Sequence, residues 1–461
     1  MFHGNTPLAQ APLSFTVDNT ANPVKNLSEN PWWHEVGSRE LNSFVAEALD
    51  NNKQVSIASK NIEIAQSALD TVRLGWLPTI SMMTGQIQSN GLVLLPNLPV
   101  PLAGSGGFFA FLPTWVVNIV QLPNQSKVAE KKLDVTVADY LAMRSSIAAQ
   151  VVSSYALLLA TIEEEKILND LSNNLNDRFK TAGFMISQGL ETEISVREQD
   201  SQRQKIKVQL ATNRSNQIAA KNALLTLVGR PLSDFTPSEK LSMLNLDYIS
   251  PGNTPTSVLA TRPDVVAARA KIQAADYDIS ATASSLVPTP TLATASITAW
   301  AKADGSRDTL NETLQMGLAT WTLNPQVIGQ ISSSNKQYDR AVINYMNVVD
   351  NAIKEVDNAL ADFVTKQTTL IKEEQIVANS RKNLATYQAM FKSGLLSGTQ
   401  YLQSVGQFDQ ANMAIVQAKL QTITSLTKLY QSMGGGATYN LKNYSLKDQS
   451  IVGIDSDNTK N

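Results

Sequence analysis

Two acidic runs, Glu163-Glu164-Glu165 and Glu373-Glu374, are the side chains of this 461-residue chain best suited to ligate a metal or move a proton. Adjacent carboxylates in a helical pattern read as a solvated face, and the basic pair Lys131-Lys132 reads the same way. The chain has no cysteine, which excludes disulfides, thiolate metal sites and a cysteine nucleophile. Its two histidines, His3 and His34, lie near the N-terminus, so the body has no imidazole. Ser, Asp and Glu are plentiful, but no His, Cys or Gly-rich phosphate loop accompanies them. No catalytic set, cofactor or metal centre is therefore predicted. The formal net charge of −2 offers no basic field for nucleic acid.

The distribution of charge says more than its sum. Between Arg73 and Lys127 there are 53 residues, 74 to 126, without Asp, Glu, Lys or Arg. Two shorter gaps follow at Ile279–Ala301 and Thr313–Asn335. These stretches are rich in Gly and Pro and contain no run of 18 apolar residues, so they make poor membrane helices. They suit lipid-facing β-hairpins, whose backbone groups pair between strands.

The chain also repeats itself. Leu49, Val55, Ala58, Ile62, Ala65, Leu69 and Pro78 fall on Leu259, Val265, Ala268, Ile272, Ala275, Ile279 and Pro288, each 210 positions later. A second register, of 205 positions, sets Tyr140 on Tyr345, Gly189 on Gly394, Leu190 on Leu395 and Gly229 on Gly434. This is a tandem internal repeat. Arg262-Pro263-Asp264 opens a helix, since Pro suits the first turn and an acid beside it complements the dipole.

Along the chain, residues 1–37 are polar and irregular, without the basic and apolar regions of a signal peptide. Removal of such a signal is favoured, and the absence of Cys leaves no lipidation site in the chain as written. Repeat 1 covers 38–231, with strands at about 78–89 and 111–122. A Pro/Ser/Asn-rich linker, 232–255, separates it from repeat 2, 256–436, with strands at about 291–300 and 313–323. Long helices fill the remainder: one of roughly 85 Å from Pro123, broken at Gly183 and again at Gly189-Leu190, and another at Gln326–Lys392, broken at Gly394-Leu395. A polar tail, 437–461, closes the sequence. The helix surfaces carry Ala, Ser, Asn, Gln and Thr with narrow apolar stripes, as suits helices with a neighbour on either side.

The segments LATRPDVVAARAKIQAADYDI…LVPTPTL and LNSFVAEALDNNKQVSIASKNIEIAQSALDTVRLGWLPTI resemble the second and first repeats of the outer membrane efflux proteins, the TolC/OprM/NodT-like family of Gram-negative bacteria. The resemblance runs from about Trp32 to Gly436. It implies an α+β membrane protein: a trimeric 12-stranded β-barrel, four strands per chain, continued by a long α-helical barrel. It implies a passive outer-membrane exit duct for drugs or other small molecules in a tripartite efflux pump, and no enzyme. The partners implied are two further copies of the chain, a periplasmic adaptor, an inner-membrane transporter of the RND type and outer-membrane lipid. An outlet for type I protein secretion shares the fold and is the first alternative. An elongated helical scaffold without a channel is the second, and it leaves the three charge-free stretches unexplained.

The resemblance assigns adaptor docking to the tips Gly189, Leu190, Gly394 and Leu395. Gln400, Gln403, Gln407 and Gln410, spaced 3, 4 and 3 along one helix face, are with Thr399 the candidates for the periplasmic gate and lumen, the alternative being a solvated stripe on the outer wall. Many family members carry Asp six and nine positions after the second tip glycine, where this chain has Gln400 and Gln403. A lumen lined by this stripe is hydrogen-bonding but uncharged there. Trp76, Trp115, Trp300 and Trp321 fall on or beside the strands and are candidates for an interfacial aromatic belt.

Four strands cannot close a barrel, since the smallest membrane barrels use about eight and no edge can face lipid. Detergent-solubilised protein is therefore predicted to run as a trimer in sedimentation or native mass measurements. A stable monomer with full β content would contradict that architecture.

Overall fold

The computed structural model describes residues 32–89, 94–95, 98–99, 104–116, 118–189, 192–233, 235–244, 246, 259, 262–303, 306–320 and 324–434. Residues 1–31, Leu190, Trp321, the turn pairs Asn90-Gly91 and Asp304-Gly305, the linker residues 234, 245 and 247–255, and the C-terminal tail lie outside them. The described residues fall into two compact units. One holds Ile62–Thr136 and Ala268–Tyr345; the other holds Val137–Ala267 with the residues before 62 and after 345.

The helices are α1 (Arg39–Asn51), α2 (Lys53–Leu74), α3 (Gln121–Ser187), α4 (Glu193–Val228), α5 (Pro263–Ala283), α6 (Gln326–Lys392) and α7 (Gly398–Ser432). The long strands are β1 (Thr79–Ser89), β4 (Gly104–Val116), β5 (Thr289–Ala303) and β6 (Ser306–Thr320), with a small hairpin of β2 (Leu94–Leu95) and β3 (Leu98–Pro99) between the first two. The four long strands form one antiparallel sheet in the order β1-β4-β5-β6.

The strand and helix boundaries differ from the sequence reading: β5 spans Thr289–Ala303 and β6 Ser306–Thr320, against about 291–300 and 313–323, because their pairing extends into the turn beyond the apolar alternation. The second long strand starts at Gly104 and ends at Val116, instead of running 111–122. Glycine usually signals a loop, yet Gly107 sits opposite Trp300, whose ring a Cβ at 107 would meet at 2.6 Å. Gly85 lies likewise under Phe108, at 2.7 Å. In both places the missing side chain makes room for a cross-strand ring, a known use of strand glycine. At the other end, Asn118 Oδ1 accepts from the backbone N–H of Val120 and Gln121 at 3.2 and 2.8 Å, starting α3 inside an apolar run. The expected break at Gly183 does not occur, and α3 continues to Ser187.

Register divides the sheet into two faces, because successive strand side chains alternate. On β5 and β6 one face bears Thr294, Ser296, Thr298, Thr309, Asn311, Thr313 and Gln315. The opposite face bears Ala293, Ala295, Ile297, Ala299, Leu314 and Met316, interrupted by Glu312. β1 and β6 are the edges, and each has one side unpaired among the described residues.

In the helical unit, a window of α3 reaches a mean hydropathy of 1.5 over 18 residues, yet 61% of it is buried against protein. It serves as core: Ile147, Val151, Tyr155 and Leu158 are inaccessible to solvent or nearly so, as are Leu224 and Leu225 of α4. Tyr155 donates to Glu40 at 2.9 Å, and Glu239 accepts from Ser38, drawing α1, α3 and the segment after α4 together. Burial and the two acids raise the Tyr155 pKa, so the phenol stays a donor.

The helix entries of the two halves make matching contacts. Asn52, before α2, donates to Leu227 O at 2.8 Å and accepts from Gln54 N at 2.8 Å. Arg262, 210 positions later, donates to Ser432 O at 2.6 Å, a carbonyl 205 positions after that of Leu227. Each side chain thus satisfies a free carbonyl at the end of α4 or α7. Arg262 goes further: its Nε and Nη2 reach Asp264 at 3.0 and 2.6 Å, and Nη2 also reaches Glu355 of α6 at 2.8 Å. The motif read as a helix entry is also a three-helix clamp.

Removing a buried guanidinium leaves two carboxylates and a helix-end carbonyl without their donor. Arg262→Met should cost roughly 2–4 kcal/mol, against about 1 kcal/mol for Asn52→Ala. Hydrogen exchange at the last turn of α7 and of α4, respectively, measures each loss.

Candidate functional site

Both long hairpins of the helical unit reverse at a glycine with positive φ, 70° at Gly189 and 76° at Gly394. That conformation costs an L side chain about 1–2 kcal/mol, so glycine is required there for backbone reasons alone. At the second tip, Gly394 N–H donates to Phe391 O at 3.0 Å and Leu395 N–H to Met390 O at 2.9 Å. These two bonds form a Schellman closure. Ser397 then caps α7: its Oγ accepts from Gln400 N at 3.3 Å while Gln400 Oε1 accepts from Ser397 N at 3.2 Å. The rings of Phe391 and Tyr401 stack across the turn, 5.0 Å apart and 4° from parallel. The outcome is a rigid tip that presents Leu395, 74% exposed, to its surroundings. At the first tip Gly189 N–H bonds Ile186 O at 2.8 Å and Thr192 caps α4 through Ser195 N; Leu190 lies outside the described residues.

Gln400 is thus occupied as half of a capping box, a role its Ser-x-x-Gln spacing from Ser397 signals in the sequence. Gln403, Gln407 and Gln410 are exposed along one face of α7, and Thr399 is half-buried. The opposite face of α7 packs inward through Ser404, Asp409, Ala411 and Val416. Asn174 of α3 donates to Leu402 O at 3.1 Å, and Gly406 passes Leu171 closely. Leu168, Leu171 and Leu175 of α3 join Ile206 of α4 in a small core, which Met413 of α7 completes. One layer further on, Asn213 donates to Glu164 at 2.9 Å. Burial raises the Glu164 carboxyl, and hydrogen bonds from Asn213 and Gln417 oppose that rise.

Asp409 lies within this packing with its Oδ2 buried and unpartnered. Burial, reinforced by Asp170, pushes its pKa up to about 6. No local pattern signals this, since an acid on a polar helix reads as solvated.

Trp115 and Trp300 are placed by register on the sheet face that bears Thr294, Ser296 and Asn311, not on the face of Leu314 and Met316. Trp76, just after α2, accepts through its backbone carbonyl from Trp115 Nε1 at 2.8 Å. Trp321 lies outside the described residues. Among the described residues no group of three His, Cys, Asp or Glu is arranged to hold a metal.

The chain thus combines two reversing helical hairpins, a four-stranded antiparallel sheet and a pair of matching helix entries. It belongs to the outer membrane efflux protein family, whose model matches residues 44–230 and 254–435. The family is one of passive outer-membrane channels, and this chain is not an enzyme. It is 24% identical to toxin and drug export protein A of Aggregatibacter actinomycetemcomitans, covering 88% of this chain and 89% of that one. It is 23% identical to the solvent efflux pump outer membrane protein SrpC of Pseudomonas putida, covering 84% of each. In structure it is similar to the outer-membrane channel OprN, with a TM-score of 0.78 at 17% identity over 94% of this chain and 99% of that one.

The raised carboxyl of Asp409 fixes the sign of a pH effect. A group whose folded pKa lies above its unfolded value destabilises the folded state once it ionises. That penalty grows as pH rises through the folded pKa and is absent below the unfolded one. Asp409→Asn should therefore raise the thermal midpoint of the helical unit above pH 6, and the gain should vanish by pH 4. Midpoints measured across that range check both limits.

Proposed function

We propose that this chain is the outer-membrane exit duct of a tripartite efflux pump, carrying drugs or other small molecules passively from periplasm to exterior. One observation carries the reading: a hairpin, β5–β6, polar on one face and apolar on the other, in a sheet with both edges open. In a barrel shared by three copies, twelve strands close the edges. The Thr, Ser and Asn face lines water and the Ala, Ile and Leu face meets lipid. Trp115 and Trp300 then point into the lumen rather than forming a belt at the lipid interface. Trp76, at the helix-to-strand turn, is the better candidate for an interfacial anchor.

The long helical hairpins lie in the periplasm, where the Gly189-Leu190 and Gly394-Leu395 tips receive the adaptor. An inner-membrane transporter, of the RND type, supplies the energy. Thr399 and the exposed face of Gln403, Gln407 and Gln410 line the periplasmic end, with Gln400 serving the helix cap. The name of the Pseudomonas relative supports small-molecule cargo. The name of the Aggregatibacter relative joins toxin to drug, which keeps a polypeptide outlet of the same build as the second reading.

If Leu395 docks the adaptor, Leu395→Glu leaves the trimer and the sheet intact and abolishes efflux, because a buried apolar contact is replaced by an unpaired charge. Drug susceptibility of a deletion strain carrying the variant reads this directly. Full tolerance at normal expression removes Leu395 from the interface.

A further inference from the structure

We propose that the sheet face that is polar on β5 and β6 and apolar on β1 and β4, where it bears Met82, Phe109 and Phe111, carries a binding cleft for uncharged aromatic small molecules at the junction of the two halves, built around Trp115, Leu292 and Gln315. The inference rests on the reading of this face as the channel lumen. The cleft measures about 460 Å³ and is lined by Pro113, Trp115, Leu292, Thr294, Gln315 and Gly317, among others. Small-molecule sites span roughly 300–1,000 Å³ and combine an apolar wall with a few placed polar groups. Register brings these residues together: Trp115 pairs with Leu292, Leu292 with Gly317, and Thr294 with Gln315.

Each residue has a distinct part. The Trp115 indole N–H is spent on Trp76 O at 2.8 Å, which fixes the ring and leaves its faces for stacking. Trp115 remains 40% exposed and Leu292 54%, so their apolar surfaces are free. Gly317 leaves the floor open, since a Cβ there would meet only Leu292 Cδ2, at 3.5 Å. Thr294 and Gln315 offer a hydroxyl and an amide beside the apolar wall.

Charge decides the class of occupant. From Leu292 to Trp300 on β5, with the paired positions of β6, β4 and β1, this face carries no Asp, Glu, Lys or Arg. An ionised solute finds no counter-charge, whereas a neutral ring finds one stacking partner and one hydrogen bond. Phe111 and Phe109 continue the apolar surface along β4, opposite Met82 and Thr84 of β1. A ring leaving the cleft therefore meets further aromatic surface along the strand.

The full chain in planar bilayers tests this with two neutral, water-soluble probes, 4-nitrophenyl glucoside and methyl glucoside. The aryl glycoside should produce resolved current blockades and methyl glucoside none. Gly317→Val, which fills the floor, and Trp115→Ala, which removes the wall, should each shorten the blockades about three- to tenfold, with open-channel ionic conductance retained. Gly317→Val keeps the test decisive if the Trp115 variant fails to fold. Ionic conduction without aryl blockade, or blockade that Gly317→Val leaves unchanged, overturns the cleft and spares the channel. Absence of any conduction from the native chain overturns the channel reading and this inference with it.

Discussion

A backbone N–H or C=O without a partner cannot face hydrocarbon, and this constraint governs how the chain is built. The sheet satisfies it internally for β4 and β5, which have neighbours on both sides. It leaves β1 and β6 each with an open edge. Neither edge is protected by charge along most of its length, because β1 has none and β6 has only Glu312 between Leu310 and Thr320. Soluble proteins usually guard such strands with lysine, proline or a bulge. An unguarded edge is a demand for another strand, and the proposed assembly of copies answers it.

The helical unit faces the complementary difficulty. Its helices are long, and many of their surfaces are polar. Near the tips their packing includes a small layer, the Leu168–Leu171–Leu175–Ile206 group, followed by a polar contact of Glu164 with Asn213. The ends are secured separately by side chains that reach terminal carbonyls, as at Asn52 and Arg262. A layered construction of this kind resists sliding. It also tolerates a buried, partnerless carboxylate at Asp409, whose cost is confined to one layer.

Much of this was legible in the residues. The two repeat registers, the tip glycines, the charge-free β1 and β4 and the alternation on β6 all follow from periodicity and backbone chemistry. What was not legible depended on partners distant in sequence. The strand start at Gly104 was hidden because glycine signals a loop unless the ring that covers it is known. The Asn118 cap overrode an apolar run by two hydrogen bonds. Which side of α7 Asp409 occupies depends on α3 and α4, whose packing no local pattern encodes. Gln400 is different: its capping signature was present in the sequence, and a functional reading displaced it.

The pairing of Asn52 with Arg262 has a mechanical consequence. The two halves of the chain share one plan, but the first half is fastened at that point by a neutral amide and the second by a cation that also grips α6. Two springs joined side by side do not share a load equally when one is stiffer. A pull at the base of both hairpins is therefore carried differently at these two equivalent positions, by one carbonyl contact at Asn52 and by an ion-paired contact among three helices at Arg262.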